Sequence, residues 1–312
     1  MWARRWPSCS CWRGSSARSS VATVASGGRT YEPPRRRWST VSWRVIARND
    51  LRAARRARGT WGLVAVFLLA YLGLAGAFLY GTPEFTPYVD VLGFAFALLV
   101  PLLAIVSGYE SVIGERTSGA AALTLSFPHS RLDLAVGKVV ARTAVIAGAI
   151  ALGTLLSGVV TAVAFDGFDP LALLGLGVVS IAYAAVFVAL ATGLSMGLAT
   201  TRRVITAAFG AYLGLVVFWT QFVDIVALII FRMNAAVIAA DPPTWAVLAK
   251  FLSPNVSASY LLGEVVNVGP VPAVAVQNEA WFVSPAVAVV VLAAWGLVPF
   301  AVGYRRFRRS DL

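Results

Sequence analysis

Long apolar runs dominate the pattern of this chain. Six stretches are hydrophobic over about the 20 residues a helix needs to cross a ~30 Å hydrocarbon core. They are Trp61–Tyr80, Tyr88–Gly108, Val139–Ala164, Leu171–Ala199, Val204–Phe222 (with a continuation toward Ile230) and Pro285–Tyr304. The third and fourth exceed the minimum length, so tilted spans are expected.

The segments between the runs alternate in charge. Arg44, Arg48, Arg52, Arg55, Arg56 and Arg58 precede the first run. Gly81–Pro87 holds no base, whereas Tyr109–Lys138 carries Arg116, Arg131 and Lys138, with Arg142 just beyond. Phe165–Pro170 has Asp166 and Asp169 and no base; Arg202 and Arg203 follow the fourth run. Phe231–Ser284 has only Arg232 and Lys250, and the tail has Arg305, Arg306, Arg308 and Arg309. Six spans put both termini on one side, and 24 of the 26 basic residues fall there. The positive-inside rule then predicts an N-in, C-in topology.

Two of the connecting segments have patterns of their own. In Ser42–Arg58, Arg44, Arg48, Arg52 and Arg55 recur at helical spacing among Trp43, Val45, Ile46 and Leu51. That spacing predicts an amphipathic helix lying on the inner leaflet; a plain topogenic charge cluster is the alternative. Phe231–Ser284 is long for a loop and is apolar. Thr244–Leu252 and Val256–Val266 read as short external helices, punctuated by Asp241-Pro242-Pro243 and Ser253-Pro254-Asn255. Irregular backbone at membrane depth has to be covered by protein, so buried or half-inserted helices are expected there.

Composition narrows the class. Hydrophobic residues make up 59% and charged residues 13%, against about 45–50% and 25% in soluble domains. Too little charge remains to coat a globule, which excludes an ordinary soluble enzyme and a disordered chain alike. The net charge of +12 would suggest nucleic acid in a soluble protein. Here the charge follows the topology, so the expected partner is the lipid bilayer and not nucleic acid.

Residues 1–40 differ from the rest. They carry eight Arg and one acid, are rich in Ser, Pro and Gly, and lack the apolar run of a secretory signal. They are read as a non-native extension or disordered tail, because Val41 can be encoded by the alternative start codon GTG. A transit peptide is the remaining alternative. From Val41 onward the net charge is only +5. The expected organisation is 1–40 as that extension, 41–60 as the interfacial helix and 61–312 as a six-span domain. Cys9 and Cys11 lie in the first segment and no Cys follows; His129 stands alone. No disulfide framework or resident metal site is expected.

No engine is encoded. The chain has no G-x-x-x-x-G-K-[ST] phosphate loop, no G-x-S-x-G and no H-E-x-x-H. Gly137-Lys138 lacks the rest of a phosphate loop. Asp90, Glu110 and Asp224 fall near span ends rather than at mid-membrane, which argues against an ion-coupled carrier. Gly193 with Gly197, and Gly210 with Gly214, form G-x-x-x-G pairs that allow close helix packing; packing within the chain and dimerisation both remain open. Asn255-Val256-Ser257 fits a glycosylation triplet on the outer side.

Gly108–Arg142, GYESVIGERTSGAAALTLSFPHSRLDLAVGKVVAR, resembles the intracellular signature of ABC-2 type permeases. The matching elements are an acidic turn with Glu110, Glu115 and Arg116, a small-residue helix from Gly119, Pro128-x-Ser130-Arg131, and Gly137-Lys138. Gly119-Ala120-Ala121-Ala122-Leu123 departs mildly from the family's Gly-Thr followed by Leu. Trp245…Leu252-Ser253-Pro254 and the tail YRRFRRSDL from Tyr304 to Leu312 also resemble the family. The likeness covers Val41–Leu312. Pro101–Glu115 is most similar to the branch associated with nitrous oxide reductase maturation and copper. Only Met196 and Met233 follow Met1, so no sulfur ladder supports a metal cargo.

The resemblance implies a membrane-spanning exporter subunit in the cell membrane, paired with a second permease copy or paralogue. It implies that ATP and magnesium bind on separate ATPase subunits and that this chain holds no cofactor. Closure of the ATPases would push a coupling helix within Glu110–Pro128 and the interfacial helix. Glu110, Glu115, Arg116, Gly119, Pro128, Ser130, Arg131 and Lys138 then form the ATPase-coupling segment; an ordinary intrahelical pair of an acid with Arg116 is the alternative. The fold implied is an all-α polytopic membrane protein with six transmembrane helices. The reading from another class is a six-span structural or assembly protein that moves no solute.

Overall fold

Every apolar run becomes a helix, because a helix satisfies its own backbone where no water is present. The computed structural model describes residues 42–114, 130–231, 242–266 and 280–309. In chain order the helices are α1 (Ser42–Arg56), α2 (Arg58–Tyr80), α3 (Phe85–Gly108), α4 (Arg131–Ala164) and α5 (Pro170–Gly197). Then come α6 (Thr201–Val217), α7 (Trp219–Ile230), α8 (Thr244–Phe251), α9 (Pro254–Val266) and α10 (Pro285–Arg309). Five of them, α2, α3, α4, α5 and α10, are long and apolar enough to cross a membrane. α6 and α7 are long and apolar enough only when taken together, and they are bent by 56° at their junction, so the described helices give five spans, or six if this pair counts as one. The expected single helix from Val204 is thus broken, because α6 ends in a π turn (Leu213–Val217) and Phe218 leaves the helical line.

Local chemistry sets the helix starts. Ser130 and Asp133 make a reciprocal capping box, so α4 begins at Arg131 rather than at Val139. Its 34 residues extend about 51 Å, so its first turns project beyond a ~30 Å core. Asp169 caps α5, with Pro170 at the first position. At this end the short turns are tied together: Phe85 N donates to the Asp166 carbonyl (3.1 Å) and Asp166 N to the Pro83 carbonyl (2.8 Å). Gly167 follows with φ +71, a left-handed conformation that favours glycine.

The central core lies among α2, α3, α4 and α5. Phe67, Tyr71, Tyr88, Phe96, Ile150 and Phe187 are all buried there. Tyr71 and Phe96 meet edge to face, 5.0 Å between centroids. The Tyr71 ring lies over Gly153, where any Cβ would collide with it. Its hydroxyl shares a 2.6 Å hydrogen bond with Thr154. Tyr88 donates to the Tyr71 carbonyl (3.1 Å), which belongs to the π turn Leu69–Gly73 inside α2.

The elbow between α8 and α9 covers the broken span. Ser253 Oγ donates to the Leu215 carbonyl (3.0 Å), and Asn255 Nδ2 to the Val216 carbonyl (3.3 Å). These carbonyls sit in the π turn of α6. Trp219 Nε1 donates to the Ala249 carbonyl, Trp295 Nε1 to the Leu252 carbonyl, and Lys250 pairs with Asp224. The Asn255 side chain is therefore a backbone donor within a helix, not a free loop amide.

Where α5 crosses α10, backbone meets backbone. A Cβ at Gly303 would strike the Gly193 carbonyl, and one at Gly193 would strike Pro299 and Phe300 backbone. Gly197 faces Gly303 more loosely. At Gly210 and Gly214 nothing lies within 4 Å of an added Cβ. Gly303→Ala is expected to destabilise the purified protein by about 1–3 kcal/mol, because neither backbone can yield. Gly210→Ala and Gly214→Ala should stay within about 0.5 kcal/mol. Denaturant unfolding of the three variants in one detergent tests this; equal losses would show that the crossing is not tight.

Candidate functional site

The arginine-rich end of the bundle gathers five chain segments. Ile46 of α1, Val112 after α3, Leu134 and Ala135 of α4, Met196 of α5 and Phe307 of α10 form one buried cluster. Phe300 and Tyr304 pack against it. Ser195 Oγ accepts from the backbone amides of Val112 (3.2 Å) and Ile113 (2.9 Å), so α5 holds the turn that follows α3. Ser111 and Thr192 hydroxyls, 3.4 Å apart, add a second tie.

Charged side chains complete this knot. Arg131 donates to the carbonyls of Phe307 (2.5 Å) and Arg308 (3.1 Å) and lies 5.4 Å from the Phe307 ring. It thereby satisfies carbonyls at the negative end of α10. Asp50 of α1 takes two cations from α4: Lys138 Nζ at 2.8 Å and Arg142 Nε at 3.2 Å. Side-chain exposure is 7% for Lys138 and 11% for Asp50, so water screens this pair little. One residue before Lys138, Gly137 leaves a notch for Ile46; a Cβ there would lie 2.9 Å from that side chain. Residues 46 and 50 are one turn apart on α1, so knob and charge together fix the register of α1 on α4.

The signature residues divide as follows. Glu110 lies exposed in the turn after α3, accepting from the Tyr109 hydroxyl at 3.1 Å. Burial and that carboxylate push the Tyr109 hydroxyl above its usual range. Ser130 caps α4, Arg131 holds α10, and Lys138 faces α1. Glu115, Arg116, Gly119 and Pro128 lie outside the described residues. Arg44, Arg48, Arg52 and Arg55 are exposed on α1, while Ile46, Ala47 and Ala54 are buried. The apolar side of α1 thus includes a protein contact with α4. Among the described residues no group of three or more His, Cys, Asp or Glu could hold a metal ion.

Sequence reasoning overlooked Asp50, Ile46, Ser195 and Phe307. Asp50 carried a usable signal: it is the lone acid between residues 41 and 83, inside an arginine-rich helix. An acid in that setting calls for a buried cation nearby. Ser195 carried none, since a hydroxyl in an apolar helix gives no hint of its partner.

Residues 44–312 match the family described as ABC-2 family transporter protein. The chain belongs to that family. Over 118 residues it is 30% identical to the Probable ABC transporter permease protein NosY of Pseudomonas aeruginosa, covering 36% of this chain and 42% of that protein. Over 129 residues it is 26% identical to the protein of the same description in Stutzerimonas stutzeri, covering 40% and 47%. The chain thus spans less than half the length of each relative in these matches. As a member of that family it is a multi-pass membrane protein.

Removing one partner of a buried ion pair costs about 3–5 kcal/mol. Asp50→Ala is expected to reach that range, since it leaves Lys138 and Arg142 facing each other. Lys138→Met should cost less, because Arg142 still neutralises Asp50. Unfolding of both variants and of Asp50→Ala/Lys138→Met, which should recover part of the loss, measures the coupling. Additive losses would mean that the two residues do not interact.

Proposed function

We propose that this permease is the membrane-spanning half of an exporter in the cell membrane, driven by a separate ABC ATPase subunit. Both termini lie in the cytoplasm in this reading, with the arginine-rich end inside. ATP and magnesium are bound by the ATPase, and two permease copies or paralogues pair around the route. The observation that carries the proposal is the knot at the arginine-rich end. The two flanks of residues 115–129 are fastened there to α1, α4, α5 and α10. A push on that segment would reach four helices at once.

In this reading Glu110, Glu115, Arg116 and Gly119 meet the ATPase, with Pro128 closing the segment. Ser130, Arg131 and Lys138 pass displacement inward by holding α4 to α10 and α1. The exposed arginines Arg44, Arg48, Arg52 and Arg55 face anionic headgroups or the ATPase. A polar, reversible docking surface suits a motor that opens and closes.

Co-expression of the full chain with an ABC ATPase encoded beside it tests the proposal. Copurification with vanadate-sensitive ATP hydrolysis is expected, and Glu115→Ala and Arg116→Ala should change that rate by about tenfold, the effect of one lost charged contact. Failure to associate with any encoded ATPase would overturn the motor reading and favour a structural role. Cysteine labelling at Arg44 and Arg309 from the cytoplasmic face alone would support the orientation.

A further inference from the structure

A groove of about 590 Å³ runs between α4 and α5. Its walls are Ile150, Ala151, Leu155, Val159, Leu173 and Ile181, and small residues at Gly158, Ala162 and Gly177 make it concave. Phe168 and Pro170 line the end beside the Asp166–Asp169 turn. Its one hydroxyl on α4, Thr154, is turned onto Tyr71. Nothing polar in the lining asks for a polar occupant. The volume falls in the range of sites that hold a small molecule, about 300–1,000 Å³.

Length decides between a lipid chain and a helix. Along α4 the lining runs from residue 150 to residue 162, about 18 Å at 1.5 Å per residue. Half of a ~30 Å hydrocarbon core is about 15 Å. The groove, with Phe168 and Pro170 at the Asp166–Asp169 turn, is thus little more than half as long as that core is thick. A transmembrane helix of a second copy needs a groove that continues through the whole core. An acyl chain from one leaflet needs only this depth.

The mouth also has a sign. Glu84, Asp166 and Asp169 are exposed there, and Glu84 pairs with Asp166 through the backbone. No Lys or Arg occurs in residues 59–115 or 143–201. An anionic headgroup would be repelled at this end, and an ammonium would be attracted. We propose that the α4–α5 groove is a binding site for one acyl chain of a phospholipid whose ammonium-bearing headgroup rests against the acidic turn. Hydrocarbon gives no hydrophobic drive between apolar surfaces, so fit and headgroup charge hold the lipid. This site does not depend on the ATPase reading.

The test uses the full chain in nanodiscs of equal phosphatidylethanolamine and phosphatidylglycerol, followed by detergent extraction and native mass spectrometry. Wild type is expected to retain phosphatidylethanolamine over phosphatidylglycerol by about fivefold, the ratio given by one favourable surface charge. Ala162→Phe fills the groove from its wall and should lose that lipid. Val163→Phe, at a position 85% exposed and outside the lining, should retain it. Asp166→Asn should keep the bound lipid while reducing the headgroup preference. Equal retention by the two phenylalanine variants would overturn the site. So would a monomer–dimer shift in Ala162→Phe without lipid loss, which would place a second copy in the groove.

Discussion

Hydrocarbon offers no hydrogen bonds, and a backbone carbonyl left bare inside it costs several kcal/mol. The departures of this protein from a plain helical bundle are organised around that cost. The π turn in α2 is serviced by the Tyr88 hydroxyl on the Tyr71 carbonyl. The break between α6 and α7 is serviced by Ser253 and Asn255 from a distant elbow. Span 5 can bend because α8 and α9 return to supply the missing donors. The elbow of α8 and α9 thus supplies donors to carbonyls at the break.

Packing does the remainder, because lipid and leucine are equally apolar and burial itself gives helices no reason to meet. Close approach is what rewards contact. Gly193 and Gly303 bring α5 and α10 to backbone distance, and Gly153 lets the Tyr71 ring pack directly on the α4 backbone. Gly137 does the same for Ile46 at the arginine-rich end. There the contact is reinforced by charge. The Asp50 ion pair adds little net stability once desolvation is subtracted, but it forbids α1 from sliding along α4. Register is its contribution.

Much of the architecture was legible in the sequence. Hydropathy located five spans and the bent α6–α7 pair, since a run of about 20 apolar residues has few other fates in a folded protein. The short helices before the last span were legible from their proline punctuation. The bend in span 5 was not, because a π turn needs no proline and its sequence, Leu213 to Val217, is ordinary for a span. The G-x-x-x-G pattern identified Gly193, yet the same spacing at Gly210 and Gly214 faces open space. Spacing reports that a close approach is possible, and only the tertiary partner decides whether one occurs. At the candidate site, the motif residues were legible and their partners were not. Arg131 stood out, but the carbonyls it holds lie 176 and 177 residues away.

Charge placement bears on how such a protein can be driven. Among the described residues, α5 has no Asp, Glu, Lys, Arg or His after Pro170 and before Gly197, and α2 has none after Arg58. Asp90 lies near one end of α3, and Asp50, Lys138, Arg142 and Arg131 crowd the other end of the bundle. A carrier powered by ion binding needs charge near the midplane, where the field and the desolvation cost can be used. Here the charge lies at the ends of helices that it joins mechanically: Asp50 and Lys138 are buried between α1 and α4, and Arg131 holds α10. Force applied at that end needs no titrating group in the membrane to be felt across it. Rigid spans, fastened by Arg131, Ser195 and the Asp50 pair, would carry it.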